Sequence, residues 1–102
     1  MAVQIGNYSF EGVFSDPSSL RNNSGVYAIL TRATTGDKFT VLDIGESGGV
    51  RDRVSNHDRE DSWKCNKKQA GLSYAAHYCD EKTRMKIEGE LRRAFDPPCG
   101  ER

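Results

Sequence analysis

The sequence predicts a small α+β domain: a three-stranded, mainly antiparallel sheet flanked by helices, in the order β-β-α-β-α. Three runs rich in β-branched and aromatic residues, at 25–31, 39–44 and 72–79, have the composition of strands. Helical patterns follow the second and third runs, from residue 50 to residues 59–61 and over 81–95. A chain of 102 residues has room for one domain with a modest core, and two helices laid on one sheet would bury each apolar face.

Residues 1–24 are the least regular part of the chain, and we expect them to form an N-terminal arm packed on a domain of residues 25–102. Alternation of apolar and polar residues is confined to Tyr8–Phe10. Asp16 followed by Pro17 predicts a short helical turn, because Asp caps helix starts and Pro suits the first helical position.

The first two predicted strands are joined by a short loop that contains Gly36, which is typical of an antiparallel hairpin. The Gly-rich segment 45–49 then breaks the second strand, and Ser47 is expected to cap the following helix. Arg53 and His57 are four residues apart, so a helix would place them on one side.

The stretch 58–69 is polar and locally basic, which favours a solvated loop. Trp63 interrupts it beside Lys64. Two interpretations remain open for this tryptophan: it packs into the core, or it is exposed and stacks on a base or ribose.

The third predicted strand leads into a final helix that Asp80 can cap. Its apolar stripe consists of Ile87, Leu91 and Phe95, with Glu88 at the edge of the stripe.

Composition limits the classes of function. The chain lacks an apolar run long enough to cross a membrane and lacks a secretory signal at its start, so we expect a soluble cytoplasmic protein. Fifteen basic and fifteen acidic residues balance, which argues against strong nonspecific binding of nucleic acid. Cys65, Cys79 and Cys99 are expected to be reduced thiols, and a zinc site that adds His57 or His77 is the alternative.

A set of residues over 25–100 falls in the order and spacing of a known family. The set comprises Gly25-Val26-Tyr27, Asp43-Ile44-Gly45, Ser47, Val50, Arg53, His57, Glu88, Leu91, Phe95 and Pro97. It resembles the motifs of the GIY-YIG nuclease superfamily.

The resemblance implies an endonuclease that hydrolyses DNA phosphodiester bonds with Mg²⁺ or Mn²⁺, in DNA repair or recombination. It implies catalytic roles for Tyr27, Arg53, His57 and Glu88, with Glu88 as the metal ligand. Arg53 presents a planar fork that fits phosphate oxygens. Tyr27 would act as a base if a cation lowered its pKa, and would otherwise only orient water. His57 would shuttle a proton or contact phosphate.

We also expect four side chains to bind the DNA backbone or its bases, with a protein partner or the DNA structure supplying specificity. These side chains are Lys38, Ser47, Trp63 and Lys64. Taken singly, each residue of the predicted site also has an ordinary structural explanation. Arg53 and Glu88, for example, could form an ion pair between helices, and His57 could be a surface residue.

Two positions depart from the family pattern. Asp43 stands where the family usually has Tyr, and Gly100 stands where many members have Asn. Asp43 is either a second metal carboxylate beside Glu88 or a charge that repels phosphate and weakens the site. Two other functions therefore stay open: a nucleic-acid-binding module of the same fold without cleavage, and a zinc-stabilised protein-interaction domain.

Overall fold

The computed structural model describes residues 2–57 and 59–99, without the side chain of Cys65. Five strands, three α-helices and one 3-10 turn are formed by these residues. They are β1 (Ala2–Ile5), β2 (Tyr8–Phe14), the 3-10 turn (Pro17–Ser19), β3 (Gly25–Thr31), β4 (Thr40–Ser47), α1 (Val50–Ser55), α2 (Glu60–Asn66), β5 (Leu72–Tyr78) and α3 (Glu81–Phe95).

The α+β class is confirmed, but the sheet has five antiparallel strands rather than three, in the order β1-β2-β5-β3-β4. The expected irregular arm forms β1 and β2 of this sheet, and β2 pairs with β5. Gly6, with φ at +59°, makes the tight turn between the two strands, since glycine adopts this conformation without strain. Gly12 and a register shift interrupt β2, which hides its alternation in the sequence.

Strand β3 lies between β5 and the edge strand β4, is buried along its whole length, and divides the core between the two faces of the sheet. Val26, Ala28 and Leu30 pack in one cluster with Ile87 of α3. Tyr27 and Ile29 pack in the other cluster, together with residues of α1 and α2. The side chains on both faces of β3 are therefore buried, as expected for an interior strand with helices on both sides of the sheet.

The strongest local signals in the sequence are confirmed. Asp16 Oδ1 accepts a hydrogen bond of 2.8 Å from the Ser18 N–H at the 3-10 turn. Asp80 Oδ1 accepts one of 2.8 Å from the Thr83 N–H at the start of α3. Helix α3 ends where Asp96 adopts a left-handed conformation, with φ at 45°.

The region after β4 differs from the prediction. Helix α1 ends at Ser55 instead of residues 59–61, and the expected solvated loop 58–69 contains helix α2. The buried Trp63, which is 1% exposed, attaches α2 to the core. The sequence of α2 lacks the apolar periodicity of an amphipathic helix, because among its described side chains Trp63 is the main contact with the core.

Ser47 does not cap α1, which corrects the prediction. It ends β4, and its hydroxyl accepts a hydrogen bond of 3.0 Å from the Gly49 N–H. The first turn of α1 is instead capped from a distance, because Asn22 Oδ1 accepts the Asp52 N–H at 3.1 Å. A cap from a residue this remote in the sequence leaves no local signal.

Tyr27 and Gly45 are opposite each other on β3 and β4. The phenol ring of Tyr27 crosses directly over Gly45, and a Cβ atom at this position would collide with the ring. Glycine is therefore required here by the close approach of an aromatic ring.

We expect Gly45→Ala to lower the free energy of unfolding by about 1–3 kcal/mol, the usual cost of overpacking a core. Gly36→Ala is the matched control, because a Cβ atom there meets open space. It should change stability by less than about 0.5 kcal/mol. Denaturant unfolding measures the free energy of unfolding of both variants. Equal values would contradict the close packing of Tyr27 against Gly45.

Candidate active site

A cavity of about 430 Å³ opens at the edge strand β4, where side chains from both helical layers meet. We call it the β4 pocket. Its lining consists of Tyr27, Gly45, Glu46, Arg53, Arg59, Glu88 and Arg92.

Three of the four predicted catalytic residues line the β4 pocket. Tyr27 comes from β3, Arg53 from α1 and Glu88 from α3. They are up to 61 positions apart in the chain, and the fold brings them to one cavity. Their catalytic roles remain predictions.

His57, the fourth, lies beyond the end of α1 and therefore does not share a helix face with Arg53. It is 5% exposed, which excludes the surface interpretation. Its Nε2 atom is 2.6 Å from the Tyr27 hydroxyl, and its Nδ1 atom accepts the Arg59 N–H at 3.0 Å. A neutral imidazole that accepts at Nδ1 carries its proton on Nε2. His57 thus donates to the Tyr27 oxygen, and Tyr27 has its own proton to donate to a ligand.

Burial raises the pKa of Tyr27 to about 12, and the negative charge of Asp43 adds to the increase. The nearby Arg59, Arg53 and Arg92 lower the pKa by less. The phenol is therefore neutral near pH 7. Of the two roles considered from the sequence, this state favours orienting water over acting as a base.

Asp43 is completely buried, and its side chain accepts four hydrogen bonds among the described residues. Its Oδ2 atom accepts from Arg59 Nε at 2.9 Å and from Trp63 Nε1 at 2.8 Å. Its Oδ1 atom accepts from Arg92 Nη2 at 3.0 Å and from Arg59 Nη2 at 3.4 Å. Both carboxylate oxygens are engaged, and two guanidinium groups balance the charge. Neither sequence-based alternative, a metal ligand or an unbalanced charge facing phosphate, describes this arrangement.

The expectation that Trp63 binds substrate is wrong. The ring is 1% exposed, packs 4.6 Å from the His57 ring centroid and donates its N–H to Asp43. No face of a buried indole is available for stacking on a base. The packing alternative for Trp63 is the one that the structure supports.

The structure does not bring the other predicted substrate-binding residues into the β4 pocket. Lys64 forms an ion pair of 2.9 Å with Glu60 on α2. Lys38 lines a different cavity, of about 250 Å³, beside β1 and the start of β4. Ser47 binds the backbone of Gly49. These three side chains are therefore not part of the site formed around Tyr27.

Glu88 is the residue that fits a metal best, although it shares its carboxylate. Its Oε2 atom accepts from Arg92 Nε at 2.9 Å, so Oε1 is the oxygen left for an ion. Glu46, the other pocket carboxylate, accepts from Arg84 at 2.7 Å. Mg²⁺ commonly takes one or two carboxylates and completes its shell with water and substrate phosphate. A weakly held, substrate-assisted Mg²⁺ or Mn²⁺ at Glu88 therefore stays a prediction, since the described residues hold no group of three potential metal ligands.

A zinc site receives no support from the described residues, which hold no group of three potential metal ligands. Cys79 is half-buried and Cys99 is buried, and both are free thiols. The Cys65 side chain and Gly100, on which two of the sequence expectations depend, lie outside the described part of the chain.

Sequence reasoning missed Arg59 and Arg92 as pocket residues. Arg59 was hidden in a stretch that resembles a loop. Arg92 carried one usable signal, because it is four residues after Glu88 on a helix and so lies beside it.

No protein-family model, curated protein or solved structure matches the chain. Among the described residues, no helix is sufficiently long and apolar to cross a membrane.

We expect Tyr27 to ionise with a midpoint near pH 12, because its raised pKa favours the neutral phenol in the folded state. The difference in tyrosinate absorbance between wild type and Tyr27→Phe isolates this titration. The stability associated with the neutral phenol is present below the unfolded pKa of about 10 and is lost as the pH rises through 12. A midpoint near 10 would contradict the burial of the hydroxyl.

Proposed function

We propose that this protein is a small divalent-metal-dependent endonuclease that hydrolyses phosphodiester bonds of DNA. One observation carries the proposal. Tyr27, Arg53 and Glu88, from three different elements, line one cavity. This combination provides a hydroxyl, a permanent cation and a carboxylate, the groups that phosphodiester hydrolysis requires.

The charge around the β4 pocket suits an anionic substrate. Among the described residues of the pocket and its direct ion-pair partners, four arginines face three carboxylates. Within this described set the arginines exceed the carboxylates by one, although the whole chain is neutral. Such an excess favours a phosphate group over a neutral or cationic ligand.

Each pocket residue has a role consistent with its surroundings. Arg53 would bind the phosphoryl oxygens with its planar fork. Tyr27, which accepts from His57 and stays neutral, would donate its proton to a phosphate oxygen or orient the attacking water. An ion held by Glu88 and the substrate phosphate would supply charge neutralisation and make bound water more acidic. His57 would act indirectly, by fixing the hydroxyl of Tyr27.

The nucleic-acid-binding module without cleavage is the second candidate. It is favoured by the Arg92–Glu88 ion pair, which competes for the carboxylate that an ion would need. In either case, a protein partner or the structure of the DNA would supply specificity, as expected of a factor in DNA repair or recombination.

Nicking of supercoiled and branched DNA with Mg²⁺ or Mn²⁺ tests the activity. We expect wild type to cut and Glu88→Gln to lose cleavage, because the variant removes the metal carboxylate. Arg53→Gln should cut roughly 10²–10³-fold more slowly, the usual cost of one lost transition-state donor.

Glu81→Gln is the matched control, because Glu81 lies on the same helix but is exposed. It should keep the wild-type rate. If wild type cuts no better than Glu88→Gln, the endonuclease proposal fails. Binding of DNA by such an inactive protein would then support the second candidate.

A further inference from the structure

Arg59 and Arg92 reach the β4 pocket from opposite sides and meet at one buried carboxylate. Arg59 precedes α2, and Arg92 belongs to α3. Their nitrogens lie 2.9 Å and 3.0 Å from different oxygens of Asp43, whose side chain is 0% exposed. Both arginine side chains are about four-fifths buried. We call these two residues the arginine pair.

The geometry leaves donors for a ligand. A guanidinium group has five N–H donors. The bonds of Arg92 to Asp43 and Glu88 use Nη2 and Nε, so both N–H groups at Nη1 are available within the described part of the chain. Because Arg92 also lines the cavity, these donors belong to a residue that a ligand in the pocket can contact.

One buried carboxylate shared by two guanidinium groups holds both groups in place. Glu88 pairs with Arg92 as well, and the burial of Asp43 restricts both arginine side chains to one arrangement. The ordering cost of two long side chains is therefore met during folding instead of during binding. A preorganised pair of planar cations is suited to phosphate, whose oxygens accept parallel N–H bonds.

We propose that the arginine pair, held by Asp43, is a phosphate-binding site for the DNA backbone, additional to Arg53. The choice of DNA as the source of the phosphate rests on the proposed function. Arg92 is the residue of the pair that offers Nη1 to the phosphate, and the negative charge of Glu88, bound at Nε of the same guanidinium group, opposes this binding. Asp43 is a positioning residue.

Binding of a duplex oligonucleotide without divalent metal, over a range of salt concentrations, tests this site. Arg92→Gln should weaken binding about 10- to 100-fold, the size of a lost charge-assisted hydrogen bond. The slope of log affinity against log salt should fall by about 0.9, the value for one phosphate contact. Arg93→Gln removes the same charge from an exposed neighbour and should keep nearly the wild-type affinity and slope.

Glu88→Gln should change the affinity for the duplex in the opposite direction from Arg92→Gln. Removing the negative charge beside Arg92 should tighten binding at least threefold relative to Glu81→Gln, which removes an equal charge elsewhere on α3. Circular dichroism checks that each variant is folded. If Arg92→Gln does not fold, the comparison of the two glutamate variants decides the question.

The inference is overturned if wild type does not bind the duplex, or if Arg92→Gln and Arg93→Gln bind alike. It is also overturned if the two glutamate variants bind alike. Its failure differs from that of the endonuclease proposal, which is judged by cleavage with metal. If wild type cuts DNA but Arg92→Gln and Arg93→Gln bind the duplex equally well, only the inference about the arginine pair is rejected. If Arg92→Gln binds more weakly than Arg93→Gln but wild type does not cut, the inference is kept and the endonuclease proposal is rejected.

Discussion

The structure around the β4 pocket depends on the interactions of one buried carboxylate, that of Asp43. A buried charge costs several kcal/mol unless it is paired and hydrogen-bonded. Asp43 meets this condition with Arg59, Trp63 and Arg92, which belong to different parts of the chain. Satisfying one carboxylate therefore attaches α2 and α3 to the edge strand β4. The same bonds bring two guanidinium groups to the β4 pocket.

The rest of the pocket follows from close packing around Tyr27. Its ring requires Gly45 on the neighbouring strand, and its hydroxyl accepts from His57. The backbone N–H of Arg59 selects the tautomer of His57, so the positions of Asp43 and Tyr27 are linked through one residue. The negative charge of Asp43 also contributes to keeping Tyr27 neutral. Asp43 thus contributes both to the arrangement of the pocket side chains and to the neutral state of Tyr27.

The sequence predicted the parts of the fold that local patterns determine and missed the parts that remote contacts determine. Strands β3, β4 and β5 and helix α3 have clear periodicity and caps. Helix α1 was predicted from Val50, but its cap by Asn22 and its end at Ser55 were not. Helix α2 was missed because it depends on Trp63, whose partner Asp43 is distant in the chain. That Tyr27, Arg53 and Glu88 would share one site was implied only by the resemblance of their motifs to those of a known family. Arg59 could not be found, because only the folded chain brings it to Asp43, whereas Arg92 had one signal in the sequence, its place four residues after Glu88.

The coupling between Asp43 and Arg92 tests this account most directly, through a double-mutant cycle on the free energy of unfolding. Asp43→Asn alone should cost about 3–5 kcal/mol, because it leaves buried arginines uncompensated. Combined with Arg92→Gln, it should cost about 1–3 kcal/mol less than the sum of the single changes. Combined with Arg93→Gln, it should be additive within about 0.5 kcal/mol. Additivity with Arg92→Gln as well would contradict the central role of Asp43.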